Sequence, residues 1–117
     1  MESKDLMKLA YEALEEKKGE RITVIDISSV SSFADYFIIT NGNSDTQMRA
    51  LMDEVDERLE KSGATIIQKE GTHKGDWILM DYGDVIVHIF NKDSRSFYNL
   101  ERIWQDGTIV DVINKRQ

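Results

Sequence analysis

The stretch GDWILMDYGDVIVHIF, Gly75 to Phe90, constrains this chain more than any other, because two β-rich runs flank an acidic, glycine-bearing turn. A two-residue loop centred on Tyr82-Gly83 or on Gly83-Asp84 closes such a hairpin. Either choice makes cross-strand partners sum to an odd number, whereas a three-residue loop would break that parity. Successive side chains of a strand point to opposite faces. Ile78, Met80, Tyr82, Val85, Val87 and Ile89 therefore share one face, and Trp77, Leu79, Asp81, Ile86, His88 and Phe90 share the other. The first set is apolar but for one phenol and is expected against helices. The second mixes large aromatics with a carboxylate and an imidazole, and buried charges need pairing or neutralisation. Two arrangements meet that demand. Asp81 and His88 satisfy each other beneath a covering helix, or the face is a partly exposed protein-contact patch anchored by aromatics.

The rest of the chain supplies the neighbours. Leu6, Leu9, Ala10, Ala13 and Leu14 recur at helical spacing over about residues 3–17, with Gly19 as the stop. Ile22–Ile27 and Asp35–Thr40 read as strands joined by a serine-rich connection, the second closed by Asn41-Gly42. Ser44-Asp45-Thr46-Gln47 is a capping box. The helix it opens carries Met48, Leu51, Met52, Val55 and Leu59 on one face, with Gly63 at its C-cap. Thr65–Gln68 is a short third strand, and the hairpin gives the fourth and fifth. Asp93 or Ser94 caps a last helix with Phe97, Leu100 and Trp104, and Thr108–Ile113 forms a tail that adds an edge strand or packs loosely. The order α-β-β-α-β-β-β-α implies a single α/β domain over residues 1–104, with a mixed sheet of about five strands, followed by a C-terminal tail over 105–117.

Charge narrows the partners. Lys plus Arg is 15 and Asp plus Glu is 22, a net charge of −7. Nucleic-acid affinity rests on clustered cations, and Lys17-Lys18 and Lys115-Arg116 make no stripe. Little direct nucleic-acid binding is expected, and a basic protein partner is the better electrostatic match. The chain contains no cysteine, which excludes thiolate metal sites and fits a cytoplasmic location. No apolar run is long enough to span a bilayer.

Catalytic constellations are weak. Glu54-Val55-Asp56 is a carboxylate pair of the type that holds magnesium on a strand, but here it lies in a helix, where residues two apart diverge by about 200°. Asp81 with His88 could orient a nucleophile, yet no serine sits on a nucleophile elbow. Gly71-Thr72-His73-Lys74-Gly75 lacks phosphate-loop order and precedes a strand. His73 and His88 alone do not make a metal site, and Gly42-Asn43-Ser44 is explained by helix capping as well as by anion binding. No enzymatic role, cofactor or metal is expected.

The blocks ADYFIITNGNSDTQMRAL, GDWILMDYGDVIVHIF and RSFYNLERIW, in this order and spacing, closely resemble the Iojap family, the ribosomal silencing factors of bacteria. The resemblance runs from about Leu6 to Trp104. It implies a mixed-sheet domain similar to the nucleotidyltransferase fold without that fold's catalytic carboxylates. It implies binding to the large ribosomal subunit through ribosomal protein number fourteen at the inter-subunit face, where the protein would block joining of the subunits and repress translation under nutrient limitation. Carried onto this chain, the partner-binding block is Trp77, Leu79, Asp81, His88 and Phe90, with Trp77 and His88 foremost. A homodimer when free would suit an exposed apolar face. The alternative is a metal-dependent nucleotidyltransferase-like enzyme.

Overall fold

The first helix, α1 (Ser3–Glu16), forms where apolar residues repeat three and four apart, and it buries Leu6, Met7, Ala10, Tyr11, Ala13 and Leu14. The structure, a computed structural model, describes residues 2–94 and 107–110. Gly19 does not end α1 through its own backbone, as the sequence suggested. Lys18 takes the left-handed turn at φ 62°, and the Lys18 and Gly19 N–H groups donate to the carbonyls of Glu15 and Leu14. Glycine is required at position 19 for space: a Cβ there would lie 2.7 Å from Thr40 Oγ1. That close approach sets the end of α1 against the sheet.

Strands β1 (Glu20–Asp26) and β2 (Tyr36–Gly42) pair antiparallel. Helix α2 (Asp45–Lys61) starts at the expected capping box, where Ser44 Oγ accepts the Gln47 N–H at 3.1 Å. The Gln47 side chain reaches back one residue further than expected. Its Oε1 accepts the Asn43 N–H at 2.7 Å, and its Nε2 donates to the Lys18 carbonyl at 2.8 Å. One glutamine thus ties the start of α2 to the end of α1. Gly63, at φ 98°, follows α2 as its sequence position implied.

The third strand, β3, is Gln68–Glu70 and not Thr65–Gln68. It is placed by pairing with β4 (Trp77–Asp81), from Gln68 opposite Asp81 to Glu70 opposite Leu79, while Ile66 turns into the core. With β5 (Val85–Asn91) and β6 (Thr108–Ile109), the strands form one six-stranded sheet in the order β3-β4-β5-β2-β1-β6. Only β2 and β5 run parallel, so the sheet is mixed, as the element order required. Of the two courses open to the tail, Thr108 and Ile109 take the edge strand, pairing with Asp26 and Ile25 as a sixth strand. Asn91 Oδ1 accepts the N–H groups of Asp93 and Ser94, and the backbone donors that Asp93 or Ser94 would cap lie outside the described residues. The helix expected to carry Phe97, Leu100 and Trp104 lies outside the described residues.

Both described helices pack on one face of the sheet. There Leu14, Met48, Leu51, Val55 and Leu59 meet Val24, Ile38, Ile78, Met80, Val87 and Ile89 in a single core. The opposite face carries its own smaller cluster, Ile25, Ile27, Ala34, Phe37, Ile39, Ile86 and Phe90, with Trp77 and Leu79 packed against it.

Candidate protein-docking face

The hairpin has the register that the turn parity demanded. Trp77 lies opposite Phe90, Leu79 opposite His88 and Asp81 opposite Ile86. The Tyr82 N–H donates to the Val85 carbonyl at 3.0 Å, which closes a two-residue loop with Gly83 at φ 89°. The two faces separate as expected. Ile78, Met80, Tyr82, Val85, Val87 and Ile89 join the helix-covered core. The one phenol among them donates to Asp56 Oδ1 at 3.2 Å. Burial, and then the Asp56 charge, hold the Tyr82 hydroxyl well above the usual phenol pKa.

The second face is built from rings. The Trp77 indole stacks on Phe90 at 5.2 Å between centroids, and Phe37 meets the His88 ring edge-on at 4.7 Å. Trp77 Nε1–H donates to His88 Nδ1 at 3.0 Å. An indole nitrogen can only donate, so His88 Nδ1 is the acceptor and the neutral ring carries its proton on Nε2. That Nε2 is buried and has no hydrogen-bond partner among the described residues. Burial lowers the His88 pKa to about 4, so the ring stays neutral at ordinary pH.

Asp81 and His88 do not satisfy each other in the way one sequence arrangement proposed. Asp81 Oδ1 accepts the Gly83 N–H at 2.8 Å and holds the turn, while His88 takes its hydrogen bond from Trp77. The five singled-out residues therefore share one face but differ in depth. Trp77, Leu79 and Asp81 are half-buried, whereas His88 is 3% exposed and Phe90 is fully buried. At the margin, Glu70, Gly71, Trp77 and Leu79 line a shallow hollow of about 230 Å³.

Two contributors escaped sequence reasoning. Phe37 reaches the ring cluster because β2 pairs with β5, and Phe37 sits opposite Ile86. The alternation of Phe37 and Ile39 was the available signal. Gly71 fixes the approach to Trp77: it adopts φ 85°, and a Cβ there would lie 2.0 Å from the Trp77 carbonyl oxygen. Its glycine-bounded loop was visible, but the backbone contact was not.

The carboxylates of α2 do not converge. Glu54 binds Arg58 at 2.8 Å, and Arg58 also pairs with Glu16 of α1. Asp56 turns toward Tyr82 and stands 3.9 Å from the Lys69 ammonium. The loop before α2 is likewise engaged, since Asn41 Nδ2 and Asn43 Nδ2 donate to the two carboxylate oxygens of Glu20 at 2.9 and 2.5 Å. Among the described residues no cluster of His, Asp and Glu could hold a metal ion, and no helix is long and apolar enough to cross a membrane.

A family model described as "Ribosomal silencing factor during starvation" matches residues 1–117. A Bacillus subtilis protein named "Ribosomal silencing factor RsfS" is 40% identical over 112 residues, 96% of this chain and 95% of its own length. A crystal structure of a Chromobacterium violaceum protein matches with a TM-score of 0.85 at 39% identity, covering 90% of this chain and 88% of that one. At greater distance, the mouse protein named "Mitochondrial assembly of ribosomal large subunit protein 1" is 26% identical over 94 residues, 78% of this chain and 41% of its own length.

Proposed function

The chain belongs to the ribosomal silencing factor family, and on that premise we propose that it binds the large ribosomal subunit through ribosomal protein number fourteen. It docks at the face that meets the small subunit, blocks subunit joining by occupying that space, and so lowers translation in the cytoplasm when nutrients are scarce. The observation that carries the docking part is the second face of the sheet. There a half-buried tryptophan and leucine stand over a buried ring cluster, with Glu70 and Asp81 beside them. Aromatic anchors that are firmly seated and partly exposed are the usual centre of a protein interface. The partner surface is read as Trp77, Leu79 and Asp81 in front, with His88 and Phe90 supporting them from beneath. A net charge of −7 suits a basic ribosomal protein, and the name of the mouse relative supports attachment to the large subunit. The family relatives carry the name of a regulator rather than of a catalyst.

Co-sedimentation with isolated subunits and assembled ribosomes tests this reading. The protein is expected to pellet with free large subunits and to remain in the supernatant with small subunits and with assembled ribosomes. Equal recovery with assembled ribosomes would overturn the steric mechanism, whatever the affinity.

A further inference from the structure

We infer that His88 is a positioning residue for Trp77: by accepting the indole N–H inside the sheet, it fixes the ring so that Trp77 meets a partner through its carbon face and not as a hydrogen-bond donor. The inference rests on the proposed docking face and adds to it how that face is held.

Its basis is geometric. Trp77 and His88 lie on adjacent strands, diagonal to each other on one face and two pairs apart in the ladder, because Trp77 faces Phe90 and Leu79 faces His88. The indole is held by the 3.0 Å bond to His88 Nδ1 and stacks on Phe90 at 5.2 Å. A stack alone leaves a ring free to slide and turn in its plane, and one directional bond at its nitrogen removes that freedom. His88 cannot itself be the contact surface, because it is 3% exposed. It is held between its strand neighbours, Leu79 and Ile39, which are uncharged. The arrangement also has a cost. Accepting from Trp77 commits His88 to the Nε2–H form, and that donor is buried without a partner among the described residues. Orienting an anchor in advance is a reason to retain it, since less freedom is then lost on binding.

The experiment compares four variants for affinity to free large subunits and for thermal melting: Trp77→Ala, Trp77→Phe, His88→Phe and His88→Gln. An indole ¹⁵N spectrum reports whether the Trp77 N–H remains hydrogen-bonded. Trp77→Phe keeps an apolar ring but loses the bond to His88 and is expected to weaken binding about tenfold, as His88→Phe does, while Trp77→Ala loses about 30-fold or more. His88→Phe fills the same space without an acceptor and is expected to weaken binding about tenfold even where it melts at or above the natural temperature. His88→Gln keeps an acceptor and is expected to restore both the hydrogen-bonded indole signal and most of the affinity. Binding by His88→Phe equal to the natural chain, with Trp77→Ala still defective, overturns the positioning role and leaves the docking face standing. A loss in Trp77→Phe as large as in Trp77→Ala, with His88→Phe much less affected, shows that the indole acts through more than its bond to His88, and overturns the inference. Natural affinity in all four variants overturns the docking face itself.

Discussion

Ile89 and Phe90 are neighbours on β5, both fully buried, yet they serve two different layers. Ile89 enters a core closed by two helices, where the buried phenol of Tyr82 finds Asp56. Phe90 enters a smaller ring cluster where His88 Nε2 has no hydrogen-bond partner among the described residues and whose outer members, Trp77 and Leu79, stay half-buried. The difference is the one that the proposed docking role of the second layer calls for. A layer that only stabilises can complete its polar bonds and exclude water. A layer that presents an anchor must leave part of that anchor accessible, and it then carries incomplete bonding beneath it.

The comparison breaks most readily by truncation. Phe90→Ala is expected to cost about 3–5 kcal/mol and Ile89→Ala about 2–5 kcal/mol, both read from urea unfolding. Their binding should differ: Ile89→Ala, assayed where it is folded, keeps its affinity, whereas Phe90→Ala loses the stack under Trp77 and weakens. A Phe90→Ala cost below about 1 kcal/mol would show that the second layer is no core at all.

Acid sharpens the same contrast. The folded His88 pKa of about 4 lies below the ordinary 6.5 because burial disfavours the charged ring. The unfolded chain therefore binds more protons between those values, and stability falls as pH drops from about 6.5 to about 4. The stabilisation is fully present above about 6.5, and the loss is on the order of 3 kcal/mol. The rings packed on His88, Phe37, Trp77 and Phe90, and its strand neighbours Ile39 and Leu79, carry no charge. Glu70 and Asp81 sit further out on the same face, opposite Leu79 and Gln68. Unfolding free energies at pH 7 and pH 4.5 should differ less in His88→Phe than in the natural chain. An unchanged pH slope in that variant would place the titration elsewhere.

Much of this contrast was legible beforehand. The odd parity of the hairpin assigned all twelve side chains of its two faces, because a strand's period of two leaves no freedom once the loop length is set. Ser44 and Gln47 located the start of α2 for a similarly local reason. What stayed hidden was depth and partnership. His88 and Asp81 share a face, but Asp81 was drawn to its own turn and His88 to the indole diagonally across the ladder. Alternation gives the face of a side chain and not its hydrogen-bond partner. Lys18 likewise took the backbone conformation expected near Gly19, because the glycine was needed where Thr40 comes close.

Smaller effects probe the surroundings. Association with large subunits should slow about tenfold or more between low and high salt, while dissociation changes less, because acidic charges steer and the apolar anchor holds. Stopped-flow mixing separates the two rates, and a salt effect carried mainly by dissociation would point to phosphate contacts instead. Lys18→Gly lies outside both layers and relieves a left-handed residue at φ 62°. It is expected to raise stability by about 0.5–1 kcal/mol with no change in binding, and a melting curve suffices to check it.

The central claim, that the second face is an interface seated on its own small core, meets its most direct test in Trp77→Ala measured twice on one preparation. Unfolding should show a modest cost of about 1–2 kcal/mol, since the indole is half-buried and its truncation removes the bond to His88 and the stack on Phe90. Binding to free large subunits should fall about 30- to 1,000-fold. The contradicting result is the reverse pattern: a loss of about 3–5 kcal/mol in stability with undiminished affinity per folded molecule, which would make Trp77 a core residue and place the docking surface elsewhere on the domain.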